Sequence, residues 1–137
     1  MRASLLIAAG AWAVMTGPAT VQSAPVEQPI YSFKGSPDGS NPVAGVVVDG
    51  KTGVVYGVTT NGGAQNAGIA FELTPPTAPG GLWTETVLHS FGPAPDGVNP
   101  TGLIADQNTG ILYGTTLAGG ANGLGTLFTL TPPSAVG

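Results

Sequence analysis

Apolar residues in this chain come in short alternating runs. Thr126, Phe128 and Leu130 share one phase of a period-two pattern, and Ile69, Phe71 and Leu73 repeat that phase fifty-seven residues earlier. Successive side chains of a strand point to opposite faces, so this alternation predicts strands. The intervening positions include Ala70 and Leu127, which predicts a sheet covered on both sides. Turn residues bound the runs: Pro-Asp-Gly at 37–39 and 95–97, Asp49 to Gly53, Asn61-Gly62-Gly63 and Pro75-Pro76. In the second half four strands are predicted, Trp83–Phe91, Leu103–Asp106, Gly110–Thr116 and Gly125–Thr131.

The two halves are copies. Ser32-Phe33, Pro37-Asp38-Gly39 and Asn41-Pro42 return at an offset of 58 as Ser90-Phe91, Pro95-Asp96-Gly97 and Asn99-Pro100. From Asp49 onward the offset is 57, and 17 of 32 aligned positions are identical through Gly80 and Gly137. Four strands per copy is the layout of a propeller blade. The expected fold is therefore all-β: two four-stranded antiparallel blade-like repeats, a partial β-propeller. A small two-sheet β-sandwich or a solenoid is the alternative. The organisation expected is a signal peptide at 1–23, a linker at 24–29, repeat one at 30–81 and repeat two at 82–137. Propellers close with about 4 to 8 blades. Two blades leave apolar faces uncovered, so the chain is expected to self-associate, as three or four chains, or to be part of a longer array.

The shared residues carry a family likeness. Tyr31-Ser32-Phe33, Pro37-Asp38-Gly39, Asn41-Pro42, Asp49, Gly53, Tyr56-Gly57, Thr59-Thr60, Gly62-Gly63, Gly68, Phe71 and Leu73-Thr74-Pro75 resemble the GloVer (Gloeo-Verruco) tandem repeats of exported bacterial proteins. The likeness runs from Tyr31 to Pro133. It implies an exported or surface protein with several copies per chain, often with a C-terminal anchoring segment, and a β-propeller. It implies no reaction and no catalytic residues. The stretch from Val58 to Leu73 in the first copy departs from the pattern, and this sequence shows two copies where several are implied.

Composition narrows the class. Gly and Pro make up about a quarter of the chain, a level that without order signals disorder. Here they sit at fixed places between apolar runs, so they read as turns. No cysteine is present, which excludes disulfides and thiolate metal sites. Arg2 followed by the apolar run Leu5–Met15 has signal-peptide layout, too short to span a bilayer, with Val21 and Ser23 placed for cleavage after Ser23. The processed chain then keeps Lys34 and Lys51 against seven acids. That balance argues against nucleic acid and anionic lipid as partners. No membrane span is expected once the signal is removed.

Candidate chemistry is sparse. Gly45 to Thr52 matches the phosphate-loop pattern GxxxxGK[ST]. Its x positions include three valines and strand residues follow, where the mechanism needs a loop and then a helix. Asp38 with Asn41, and Asp96 with Asn99, could offer oxygen ligands to calcium. One carboxylate per loop is thin for that ion, and an Asx turn explains the same residues. Asp49 and Asp106 head the next hairpins. His89 is the single histidine. Glu85 stands four residues before it, on the same strand face by simple alternation. Trp83 reads as a stacking aromatic or one more strand residue. No cofactor is implied. The expected function is an exported module with a binding or surface-scaffold role toward an unidentified protein or glycan. The alternatives are a carbohydrate-active hydrolase using acids such as Asp38, Asp96 or Glu85, and a fragment without separate activity.

Overall fold

Nine strands and no helix occupy residues 24–133, the part of the chain that the computed structural model describes. The expected signal peptide lies outside those residues. In order the strands are β1 (Gly39–Ser40), β2 (Val47–Val48), β3 (Val55–Thr59), β4 (Asn61–Gly62), β5 (Ile69–Thr74), β6 (Thr84–Ser90), β7 (Gly97–Ala105), β8 (Leu112–Gly119) and β9 (Leu127–Leu130). All strand pairing is antiparallel. One sheet runs β2-β3-β5-β6, a second runs β7-β8-β9, and β1 pairs with β4; none is closed on itself.

The repeat in the sequence and the sheet in the structure are out of phase. Thr84–Ser90, the first strand of the second copy, pairs with β5 of the first copy from Thr74↔Thr84 to Ile69↔Ser90. The reason is local. β5 has one edge on β3, and its other backbone groups need a partner. The Pro75–Trp83 loop brings the next strand, Thr84–Ser90, back along that edge. The first sheet thus has four strands, and the second has three among the described residues, where four were expected in each.

Copy one also breaks a strand that copy two keeps whole. In β7 the chain stays in the ladder from Gly97 to Ala105, with an irregularity between Pro100 and Gly102. Copy one has one residue more between its Asn-Pro and the following valines, and the ladder is interrupted into β1 and β2. The pairs Gly39↔Gly62 and Gly97↔Gly119 remain equivalent.

Burial follows the alternation. The rear face of the first sheet carries Tyr56, Val58 and Ala70, which form one core with Phe91, Leu103 and Leu112 of the second unit, and Phe128 and Leu130 pack against it. Its front face carries Val55, Ile69, Phe71 and Leu73, covered in part by Tyr31, Phe33 and Trp83. Each large apolar side chain so buried contributes roughly 1.5–3 kcal/mol. The two sheets thus pack face to face through the shared core. A front face of one unit meets a rear face of the other, so the contact is head to tail.

An aromatic step marks each front face. Phe33 lies edge-on to Phe71 with centroids 5.0 Å apart, and Phe91 lies edge-on to Phe128 at 5.0 Å. Behind them Tyr31 contacts Phe33 at 5.2 Å and His89 contacts Phe91 at 4.7 Å. Segment 31–33 therefore does for the first sheet what 89–91 does for the second.

Candidate functional site

Two equivalent hairpins stand side by side at one end of the sheets. In the β2–β3 turn the Asp49 carboxylate accepts from Lys51 N–H at 3.0 Å and from the Thr52 hydroxyl at 2.6 Å. In the β7–β8 turn Asp106 accepts from Asn108 N–H at 2.9 Å and from the Thr109 hydroxyl at 2.8 Å. The same Asx geometry makes both turns. The Thr52 hydroxyl and then the Lys51 amide hold the Asp49 carboxyl below its ordinary range. The Asn108 amide and then the Thr109 hydroxyl do so for Asp106. Both are therefore anions at neutral pH.

Between these hairpins lies a cleft of about 150 Å³. Val47, Tyr56, Ala105 and Leu112 give it apolar walls, and Asp49, Lys51, Asp106, Gln107, Asn108 and Thr109 give it a polar rim. Pockets for drug-sized ligands run to roughly 300–1,000 Å³, so this one takes a single small unit or the end of something larger. Its chemistry is that of hydrogen bonding to hydroxyl and amide groups beside a partly apolar surface.

A second polar cluster lies on the front face of the first sheet. Asp38 accepts from Tyr31 O–H at 3.1 Å, Lys34 N–H at 2.9 Å and Gly39 N–H at 2.6 Å. Burial, then the hydrogen bond to Asp38, then the charges of Glu85 and Asp38 push the Tyr31 phenol up to about 12. Burial, and then the charge of Asp38, raises the Glu85 carboxyl; Lys34 draws it back in part. One Glu85 oxygen, Oε1, is buried and has no hydrogen-bond partner among the described residues. In the second copy the equivalent contact is His89 Nε2 to Asp96 at 2.9 Å, with Asp96 also accepting from Gly97 N–H at 2.8 Å.

These paired stations put equivalent positions to similar use in both copies. A family model described as the Gloeobacter/Verrucomicrobia repeat matches residues 19–136. The chain belongs to that repeat family. No curated protein and no solved structure matches it. For this Gloeobacter/Verrucomicrobia repeat chain, the meaning of each singled-out residue comes from its own geometry.

In each repeat the Asp of Pro-Asp-Gly is taken up by its turn, as described for Asp38 and Asp96. Asn41 and Asn99 adopt left-handed backbone, φ 60° and 56°, and the Asn99 side-chain amide donates to the Thr60 carbonyl at 2.8 Å. Among the described residues no three His, Cys, Asp or Glu side chains come close enough to hold a metal ion. Gly45–Thr52 spans β2 and its turn, and β3 follows where a phosphate loop requires a helix. Trp83 packs half-buried against the front core.

The shared face that simple alternation gives Glu85 and His89 is overturned. Glu85 and His89 do not share a face: the ladder shifts between Ala70 and Phe71, so Glu85 pairs with Leu73 on the front while His89 pairs with Ala70 on the rear. A bulge inserts one residue and reverses the phase of alternation. The structure instead brings Glu85 near Asp38, and takes Asp96 away to His89. The cleft was the feature that reading residue by residue missed. Its two hairpins are visible as repeats, but nothing in their spacing says that they are neighbours.

Proposed function

We propose that this chain is an exported repeat module with a binding and surface-scaffold role, whose sheets are blades of a propeller-type ring. The contact site in this reading is the cleft between the Asp49 and Asp106 hairpins, and the ligand is a hydroxyl-rich one such as a glycan. The cleft carries the reading: rigid turns present two carboxylates, an ammonium, two amides and a threonine hydroxyl around apolar walls. Export rests on the Arg2 and Leu5–Met15 layout. The head-to-tail packing of equivalent sheets supports the blade reading, because a repeated heterologous contact generates rings when its rotation closes. The hydrolase alternative has less support: Glu85 lies near Asp38, but Asp38 already accepts three hydrogen bonds, Tyr31 O–H among them, and one Glu85 oxygen is buried.

A glycan array read with the purified chain tests this. Saturable binding to a defined class of sugars is expected, with Asn108→Ala and Gln107→Ala each weakening it by about tenfold, the loss of one or two good hydrogen bonds. Absence of saturable binding, or binding indifferent to both substitutions, would overturn the cleft as the site.

A further inference from the structure

We infer that segment 26–32 of one copy of this chain adds as a fourth strand to the outer edge of β9 in a second copy. The inference stands on the strand geometry and not on the ligand proposed above.

The chain itself contains the template. β6 lies antiparallel on β5, pairing Thr84 with Thr74, Glu85 with Leu73 and Thr86 with Glu72. The repeat offsets carry that register onto other residues. Positions 84–90 correspond to 26–32, and 69–74 correspond to 126–131. The corresponding pairs are Val26 with Thr131, Glu27 with Leu130 and Gln28 with Thr129.

Both halves of this contact are open. Residues 24–30 form no strand and are all exposed, with Val26 at 86 % and Ile30 at 47 %. The outer edge of β9 has no partner among the described residues. Leu127 beside it is 77 % exposed, although its equivalent Ala70 is fully buried. An unpaired edge with apolar neighbours is a template for strand addition.

The handover beyond that strand is already in place. After β6 the chain drives Phe91 onto Phe128 of the next sheet, and after residue 30 it drives Phe33 onto Phe71 in the same edge-on geometry. A strand that ends by packing its Phe on a front face comes, in the one case seen, from the sheet whose rear face covers that front. For Tyr31–Phe33 the first sheet is the front. The sheet to be placed before it is a second copy's β7-β8-β9, whose rear face exposes Ile104, Leu117 and Leu127 at 69, 70 and 77 %. Their equivalents Val47, Thr60 and Ala70 lie on or beside the rear of the first sheet, where Val47 and Ala70 join the shared core. Pro29 falls at the position of Val87, beside the irregularity between Ala70 and Phe71, and a missing N–H is tolerated at edges and bulges. The contact is head to tail, so copies join into a ring or an open chain.

The full chain has no native cysteine, which makes the register testable by cross-linking. Gln28→Cys and Thr129→Cys are each made alone, at exposed positions, then mixed and oxidised. The expected product is a disulfide-linked species of twice the chain mass that needs both variants. Gln28→Cys mixed with Gln107→Cys should give none. Light scattering of the unmodified chain at tens of micromolar should give a mass above one chain. A Thr129→Cys species that cross-links to itself would overturn the proposal, because it means that two β9 edges pair. So would a monomer with no mixed cross-link. An exported product of larger mass, whose further repeats protect the β9 edge from cross-linking, would equally overturn it by placing the fourth strand within one chain.

Discussion

At the scale of single residues the repeat is a record of close approach. A Cβ on Gly57 would come within 2.5 Å of Phe71 Cζ, and one on Gly114 would strike Phe128 in the same way. The glycine is there because the tip of the phenyl ring from the neighbouring strand occupies the space a Cβ would take. Thr59 and Thr116 are a second such pair. Their buried hydroxyls donate to the carbonyls of Asn61 and Ala118, at 2.8 and 2.9 Å, and accept from the amides of Ile69 and Thr126. One hydroxyl thus satisfies a donor and an acceptor that the sheet cannot pair. Gly45 makes the contrast, since a Cβ there meets nothing within 4 Å. Gly57→Ala is expected to lower unfolding stability by about 1–3 kcal/mol through overpacking, while Gly45→Ala leaves it within about 0.5 kcal/mol, as is usual for a surface change. Urea titration of both variants measures the difference. Equal effects would mean that Phe71 yields freely and that the glycine has another cause.

At the scale of elements, one inserted residue in β6 decides which chemistry meets. Without the bulge at Ala70/Phe71, Glu85 and His89 would share a face; with it, His89 reaches Asp96 and Glu85 is left on the front beside Asp38 and Tyr31. Burial makes ionised Glu85 unfavourable in the folded chain and raises its carboxyl from the ordinary 4.5. The sign follows from linkage. A folded-state value above the unfolded one means that the native chain holds the proton more tightly, so the Glu85 contribution to stability is fully present below pH 4.5 and is lost as pH rises through the raised value. Asp49 and Asp106 act in the opposite sense, losing their contribution only below 3.8. Glu85→Gln should therefore raise the neutral-pH melting temperature and flatten its decline above pH 4.5, read by scanning calorimetry across pH 4 to 8. A melting temperature lower than that of the parent at pH 7 would refute this account of Glu85. The strands themselves were legible: period-two alternation found Ile69, Phe71 and Leu73 on one face, and the Asp49 and Asp106 turns were read correctly as turns. What alternation cannot encode is a bulge, or which copy a strand joins. Sequence adjacency placed Thr84–Ser90 with the second repeat, but backbone pairing gave it to the first.

At the scale of the whole molecule, the offset between repeat and sheet acts as a fastener. β6 is hydrogen-bonded into the first sheet, yet the residue just past its end, Phe91, is 1 % exposed and sits in the core against Phe128 of the second. Its backbone N–H is also bonded, to the Gly68 carbonyl at 2.9 Å. Asn99 adds two more links, from its N–H to the Ala67 carbonyl and from its side chain to the Thr60 carbonyl, both at 2.8 Å. The sheets are thus joined by a continuous strand and a packed ring, and the whole should unfold as one unit. Phe33 makes the equivalent contact on the first sheet, but it is only half-buried and no described sheet stands behind it. Removing a buried phenyl costs about 3–5 kcal/mol, a large share of the roughly 5–15 kcal/mol that holds a domain together. Phe91→Ala should consequently lower the stability of the second sheet and split one urea transition into two, as the less anchored three-stranded sheet melts ahead of the four-stranded one. Phe33→Ala should shift a single transition by a smaller amount. Amide hydrogen exchange in β3 and in β8, followed through the same urea series, reports on the two sheets separately. If the two probes stay coincident in Phe91→Ala at an unchanged midpoint, the phenyl is not the fastener, and the coupling resides in the Asn99 hydrogen bonds instead.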